Sequence, residues 1–125
     1  MAREVTLTPS EKAKAIELAQ SVKPGDLILV KTPNRMYEAM RRIYATPYDH
    51  VVVVVDEERC LHISFPIAKL VPTYIFTDLK REPLVLRPNL TEKKRESFLF
   101  DLKHNTVGKR YDSGLVFSYM KSSLW

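Results

Sequence analysis

Two β-branched runs separated by three acidic residues limit the fold of this chain more than any other feature. His50 to Val55 reads HVVVVV, Arg59 to Phe65 reads RCLHISF, and Asp56-Glu57-Glu58 lies between them. Valine and isoleucine lose side-chain freedom in a helix but pack well on a pleated surface, so both runs are expected as strands joined by a turn. Consecutive valines without polar alternation predict a strand covered on both faces. Pro66 and Pro72 are expected to close this hairpin, since proline cannot donate to a strand ladder.

Around the hairpin the signals alternate. Thr8-Pro9-Ser10-Glu11 combines an N-cap threonine, proline at the first helical position and glutamate three after the cap. Ala15, Ile16, Leu18, Ala19 and Val22 supply the apolar stripe of the helix that follows, and Pro24-Gly25 stops it. Asp26 to Lys31 (DLILVK) reads as a short buried strand. Asn34 caps a second expected helix through Tyr44, with Met36, Met40, Ile43 and Tyr44 facing inward. Tyr74 to Leu79 is ambiguous, and Pro83 to Arg87 (PLVLR) reads as another strand ended by Pro88. Thr91 opens a helix to about Asn105, with Phe98, Leu99 and Leu102 inward. Gly108 to Asp112 reads as a loop, and Leu115 to Trp125 as the start of a helix. Strands gathered in the middle with helices outside them predict an α+β domain, a small antiparallel sheet flanked by helices.

Composition narrows the function classes. At 125 residues, 45% apolar and 28% charged, the chain is expected to be a single domain over 1–125 rather than a disordered tail. A membrane-spanning helix needs about 20 apolar residues, and the longest unbroken apolar run is Val51 to Val55. Met1-Ala2-Arg3-Glu4-Val5 has no apolar stretch of the signal-peptide kind, so a cytoplasmic protein is expected. The net charge of +5 permits weak contact with polyanions. Its basic residues are scattered (Lys12, Lys14, Arg41, Arg42, Lys93 to Arg95, Lys109, Arg110), which argues against nucleic acid as the partner. With only three glycines there is no phosphate-binding fingerprint. The single cysteine, Cys60, and the three histidines lack zinc-ligand spacing, so no metal is expected.

His50 and His62 are the candidates for chemistry. A thiol hydrolase needs an imidazole to take the nucleophile's proton and a polar group to hold that imidazole's tautomer and rotation. Adjacent strands supply both only if the two side chains share a face. A two- or four-residue turn at Glu57-Glu58 sets the histidines on opposite faces. A three-residue loop, or one bulge, sets them on one face as a diagonal pair roughly 7–8 Å apart at the backbone. A catalytic pair therefore requires an odd connection between Asp56 and Arg59. The alternative is that His62 is an ordinary strand histidine and His50 a strand-entry residue.

PGDLILV (Pro24 to Val30), YDHVVVVVDEERCLHIS (Tyr48 to Ser64) and GKRYD (Gly108 to Asp112), taken in this order, resemble the NlpC-type and permuted papain-like families. These include the YiiX-like proteins and the lecithin-retinol-acyltransferase group. The resemblance spans about half the chain, and its best element is the histidine pair with eleven residues between, following Gly25-Asp26. It implies a papain-like, permuted NlpC-type fold and hydrolase, amidase, peptidase or acyltransferase chemistry on an amide or ester of a peptide, glycan or lipid, without a cofactor. It makes His50 the general base and His62 its orienter, gives Asp26 a structural role in the turn, and places Tyr111 near the nucleophile.

The chain departs from that pattern after Tyr111, where no cysteine follows. The family's spacing puts the nucleophile near Ser122 or Ser123. There it would open a buried helix whose positive end lowers a thiol pKa. Either the domain lacks its C-terminal nucleophile helix, or serine replaces cysteine, or the domain is a non-catalytic relative that binds a peptide, glycan or lipid. The serine hydroxyl is far less acidic than a thiol, so the first and third are preferred. Cys60 lies within a strand, away from any helix dipole, and is expected to be a small buried hydrophobe. His104 is expected to interact with a helix C-terminus. Tyr37, Arg41 and Arg42 are candidates for lining a groove.

Overall fold

The computed structural model of the protein describes residues 6–63 and 68–108. The first helix, α1 (Pro9–Ser21), begins as its sequence requires. Thr8 Oγ1 accepts from the Glu11 amide at 3.2 Å, and Glu11 Oε1 accepts from the Thr8 amide at 3.0 Å. Ala15 and Val22 are buried, whereas Ile16 of the expected stripe is 39% exposed. The strands are β1 (Leu27–Val30), β2 (His50–Val54), β3 (Arg59–Ile63), β4 (Ala68–Pro72) and β5 (Leu84–Leu86). They form one antiparallel sheet in the order β4-β3-β2-β1-β5. With α2 (Arg35–Ile43) and α3 (Glu92–Asp101), the architecture of the described residues is α+β: a small five-stranded antiparallel sheet and three helices. No helix among the described residues is long and apolar enough to cross a membrane.

Alternation along the strands divides the core. One sheet face carries Ile28, Val30, Val52, Val54 and Cys60, packed with Val22 and Phe76. The other carries Leu61 and Ala68 with Val55, covered by Leu99, Leu102 and Val107. The hydroxyl of Thr77 donates to Ala15 O at 2.6 Å and ties the segment after β4 to α1. Asp26 is 1% exposed, accepts from the Lys23 amide at 2.8 Å and receives both arms of Arg87 at 2.9 Å. The turn-holding role read for Asp26 is thus visible in its hydrogen bonds.

Several expectations change. Val51 is 53% exposed, so the valine run is not covered on both faces at its histidine end. β4 occupies the segment expected only to close the hairpin, and Pro72 is its last residue. The ambiguous stretch forms two 3-10 turns, Thr73–Ile75 and Leu79–Arg81. Helix α3 passes into a π-turn at Leu102–Thr106, and Phe98 is 38% exposed rather than inward. The largest reversal is in α2. Met36, Met40, Ile43 and Tyr44 face outward, 61%, 41%, 75% and 53% exposed. The inward side of α2 is instead polar, because Arg41 is drawn to a buried carboxylate, Asp49.

Candidate functional site

Site geometry starts in the acidic turn. Val55 N donates to Arg59 O at 3.0 Å, leaving Asp56-Glu57-Glu58 as a three-residue loop. Asp56 Oδ1 accepts from the Glu58 and Arg59 amides at 3.0 and 2.7 Å, while Oδ2 accepts from the Arg59 side chain. Burial alone would raise the Asp56 pKa, but these hydrogen bonds bring it below the ordinary carboxylate value. An aspartate folding back on its own loop is what sets an odd connection here.

The register follows. Val53 pairs with Leu61 and Val54 with Cys60. Continued by two residues, it sets His62 beside Val52 and His50 one diagonal step away, on the same face. The two rings meet edge to face, 5.3 Å between centroids and 64° between planes. His62 also lies 5.1 Å from the ring of Phe76, and His50 lies 5.6 Å from the ring of Tyr37 on α2. The guanidinium of Arg81 stands 5.6 Å from the centroid of the Phe76 ring. Tyr37, His50, His62 and Phe76 thus form a chain of tilted and edge-to-face ring contacts, with Arg81 over Phe76.

Burial dominates the electrostatics. His62 is 3% exposed, and its pKa falls from 6.5 to about 4, through desolvation first and then the positive fields of His50, Arg81 and Lys69. Its Nε2 is buried without a hydrogen-bond partner among the described residues. The His50 pKa is also lowered, by burial first; the Asp49 carboxylate opposes this and Arg81 adds to it. Both imidazoles are neutral near pH 7 and so able to accept a proton.

Asp49 anchors the site from behind. It accepts from the Thr32 amide at 2.8 Å and from the Thr32 hydroxyl, and it receives Arg41 in an ion pair whose side chains are only 5% and 16% exposed. Arg41 also donates to Thr32 O at 3.1 Å. This carboxylate joins α2 to the end of β1 and to the start of β2, which holds Tyr37 against His50. Of the three groove candidates, Tyr37 and Arg41 reach the site, whereas Arg42 points outward and pairs with Glu38 at 2.9 Å.

The remaining candidates lie elsewhere. Tyr111, Ser122 and Ser123 fall outside the described residues, as does the helix expected from Leu115 to Trp125. Cys60 is fully buried, and desolvation pushes its thiol pKa up to about 12, so it is a protonated core residue. His104 stacks on Phe100 at 4.1 Å in the turn after α3, across the sheet from the imidazoles. An open depression of about 390 Å³ is lined by Leu29 and by Thr46 to Val51. His50 is itself among its lining residues, together with Leu29 and Val51, which point to the opposite face of the sheet. Among the described residues, no group of three or more His, Cys, Asp or Glu side chains is arranged to hold a metal ion.

Reading the sequence missed Asp49, Phe76 and Arg81. Asp49 had a signal, since it directly precedes the strand-opening histidine. Arg81 had none, because it sits in the charged run Lys80-Arg81-Glu82 and looks like any surface cation. Comparison with known proteins returns no matching family model, no matching curated protein and no matching solved structure.

Proposed function

We propose that this protein is a permuted papain-like domain of the NlpC type, acting as a thiol hydrolase or acyltransferase on an amide or ester of a peptide, glycan or lipid. The observation that supports it best is the neutral imidazole pair on one sheet face, 5.3 Å apart, behind an odd-length loop. In this mechanism His50, half-buried and beside Asp49, takes the proton from the nucleophile. The resulting anion attacks the carbonyl carbon, and the tetrahedral intermediate expels the amine or alcohol, which leaves with the proton from His50. Water or an acceptor alcohol or amine then releases the acyl group. His62, packed edge-on against His50, restricts the rotation of that ring. The nucleophile is not visible in this chain; the resemblance puts its position near Ser122 or Ser123, which lie outside the described residues.

The test is covalent labelling of the protein expressed from its complete gene. An acylating probe directed at thiols and hydroxyls should form one adduct, at a residue other than Cys60. His50→Ala should slow its formation at least about 100-fold, the usual contribution of a general base, while thermal unfolding remains cooperative. Absence of any adduct, or unchanged labelling in folded His50→Ala, rejects the enzyme. A second reading, a non-catalytic module of the same fold that binds a peptide, glycan or lipid, is favoured by one observation. The single thiol of the chain is buried, with its pKa up to about 12. Such a module predicts saturable binding of the ligand without turnover.

A further inference from the structure

Helix α2 rests on the sheet without being packed into it. None of its nine residues is buried, and only Tyr37 and Arg41 are half-buried. Met36, Met40 and Ile43 face outward, so apolar burial, the usual anchor of a surface helix, does little to hold it down. Its order comes from bonds of its own: Asn34 Oδ1 accepts from the Tyr37 amide at 2.9 Å, and Arg42 pairs with Glu38 at 2.9 Å. The chain leaves the helix through Ala45 at φ +51°, a left-handed conformation that strains a residue with a Cβ.

The two half-buried side chains are the ones that meet the sheet. Tyr37 lies against His50, 5.6 Å between ring centroids, and His50 is half-buried in this arrangement. Arg41 pairs with the carboxylate of Asp49 and donates to Thr32 O at 3.1 Å. Asp49 does not depend on Arg41 alone, because the Thr32 amide at 2.8 Å and the Thr32 hydroxyl also donate to it. Release of Arg41 therefore returns a guanidinium to water and leaves the carboxylate hydrogen-bonded. We propose that α2 is a lid over His50, closed by the Arg41–Asp49 pair as its latch, and that it opens without disturbing the sheet core. Opening carries Tyr37 off His50, while His62, 3% exposed and against Phe76, stays covered. Use of this lid in catalysis rests on the reading of His50 as a base; the opening itself does not.

The test is modification of the histidines by diethyl pyrocarbonate near neutral pH, each ring read separately by peptide mass spectrometry, in the wild type and in Arg41→Gln. Glutamine removes the charge that closes the latch. His50 should react about tenfold faster in Arg41→Gln, the shift expected when a charge-assisted bond of the closed state is lost. His62, in the core, and His104, already exposed, should keep their wild-type rates. Loss of a nearby cation by itself favours the protonated imidazole, which the reagent does not attack, so a faster His50 reports access rather than altered basicity. Hydrogen exchange in the wild type gives a second reading. Released from the sheet, a helix of nine residues is too short to persist, so the α2 amides should exchange through a local opening at urea concentrations that leave β1 and β2 protected. A His50 rate within about twofold of wild type in folded Arg41→Gln overturns the lid, and so does a parallel rise at His62, which would mean that the core opens. Should Arg41→Gln not fold, the wild-type exchange decides: α2 amides as protected as those of β1 and β2 overturn the lid. No nucleophile or substrate enters either measurement, so failure of covalent labelling and failure of the lid are separate outcomes.

Discussion

Cys60 and His62 are two positions apart on one strand, share a face, and are both buried, yet burial acts on them in opposite directions. Desolvation disfavours whichever form is charged, so the thiol pKa rises to about 12 while the imidazole pKa falls to about 4. The same environment that prevents Cys60 from becoming a thiolate keeps His62 a neutral ring. In the native protein Cys60 should therefore resist iodoacetamide at pH 8, and should be alkylated at the rate of a free thiol once urea has unfolded the chain. A native rate within about tenfold of the unfolded rate would mean that the strand opens far more often than a fully buried position implies. Identity and burial together decide the chemistry here; identity alone left Cys60 as a nucleophile to be weighed.

Turns decide what the strands present. A single extra residue in Asp56-Glu57-Glu58 would shift β3 by one step and move His62 from the face of Phe76 to the face covered by α3. The turn into β1 is equally restricted. Gly25 has φ +96°, its amide donates to Val54 O at 2.7 Å, and a Cβ there would lie 3.2 Å from Arg95 Cγ. Gly25→Ala should destabilise the fold by about 1–2 kcal/mol, mostly from the left-handed backbone, since the Arg95 side chain can move aside. The check is the urea midpoint at constant m-value; a loss below about 0.5 kcal/mol would show that the turn relaxes. The Pro24-Gly25-Asp26 run was legible as a helix stop followed by a strand. The contact of Gly25 with α3 was not, because it joins residues seventy positions apart.

For the whole molecule, the lowered imidazole pKa values make stability depend on pH. The folded value of about 4 for His62 lies below the 6.5 of an unperturbed histidine, so between these values the unfolded chain binds the proton and the native one does not. Stability is complete above pH 6.5 and is lost as pH falls towards 4, with a slope of up to about 1.4 kcal/mol per pH unit from His62. His50 acts in the same sense. Asp26 adds a further loss at lower pH. Burial alone would raise its pKa, but the hydrogen bonds from Arg87 and Lys23 leave it below 3.8, so its contribution is present above that value and disappears as the carboxylate protonates. In His62→Leu, urea-derived stability should vary much less between pH 6.5 and 4. An unchanged slope would place the protonation elsewhere.

Local signals fixed the elements whose causes are local. The capping box at Thr8 and Glu11, the Asn34 cap, the β-branched runs and the Pro-Gly stop each act within a few residues, and each appears where the residues imply. The pairing of His50 with His62 was legible only as a condition on loop length, since one residue more or less reverses a strand's faces. Tertiary structure decided the rest. It turned α2 over, so that Arg41 reaches Asp49 while Met36, Met40 and Ile43 face outward, because a buried carboxylate seventeen residues from Thr32 needs a cation more than the helix needs to bury its methionines. It also brought Arg81 from a charged run into the core beside Phe76. A periodic pattern records which side of an element is apolar, but only the assembled chain determines which polar groups must find each other.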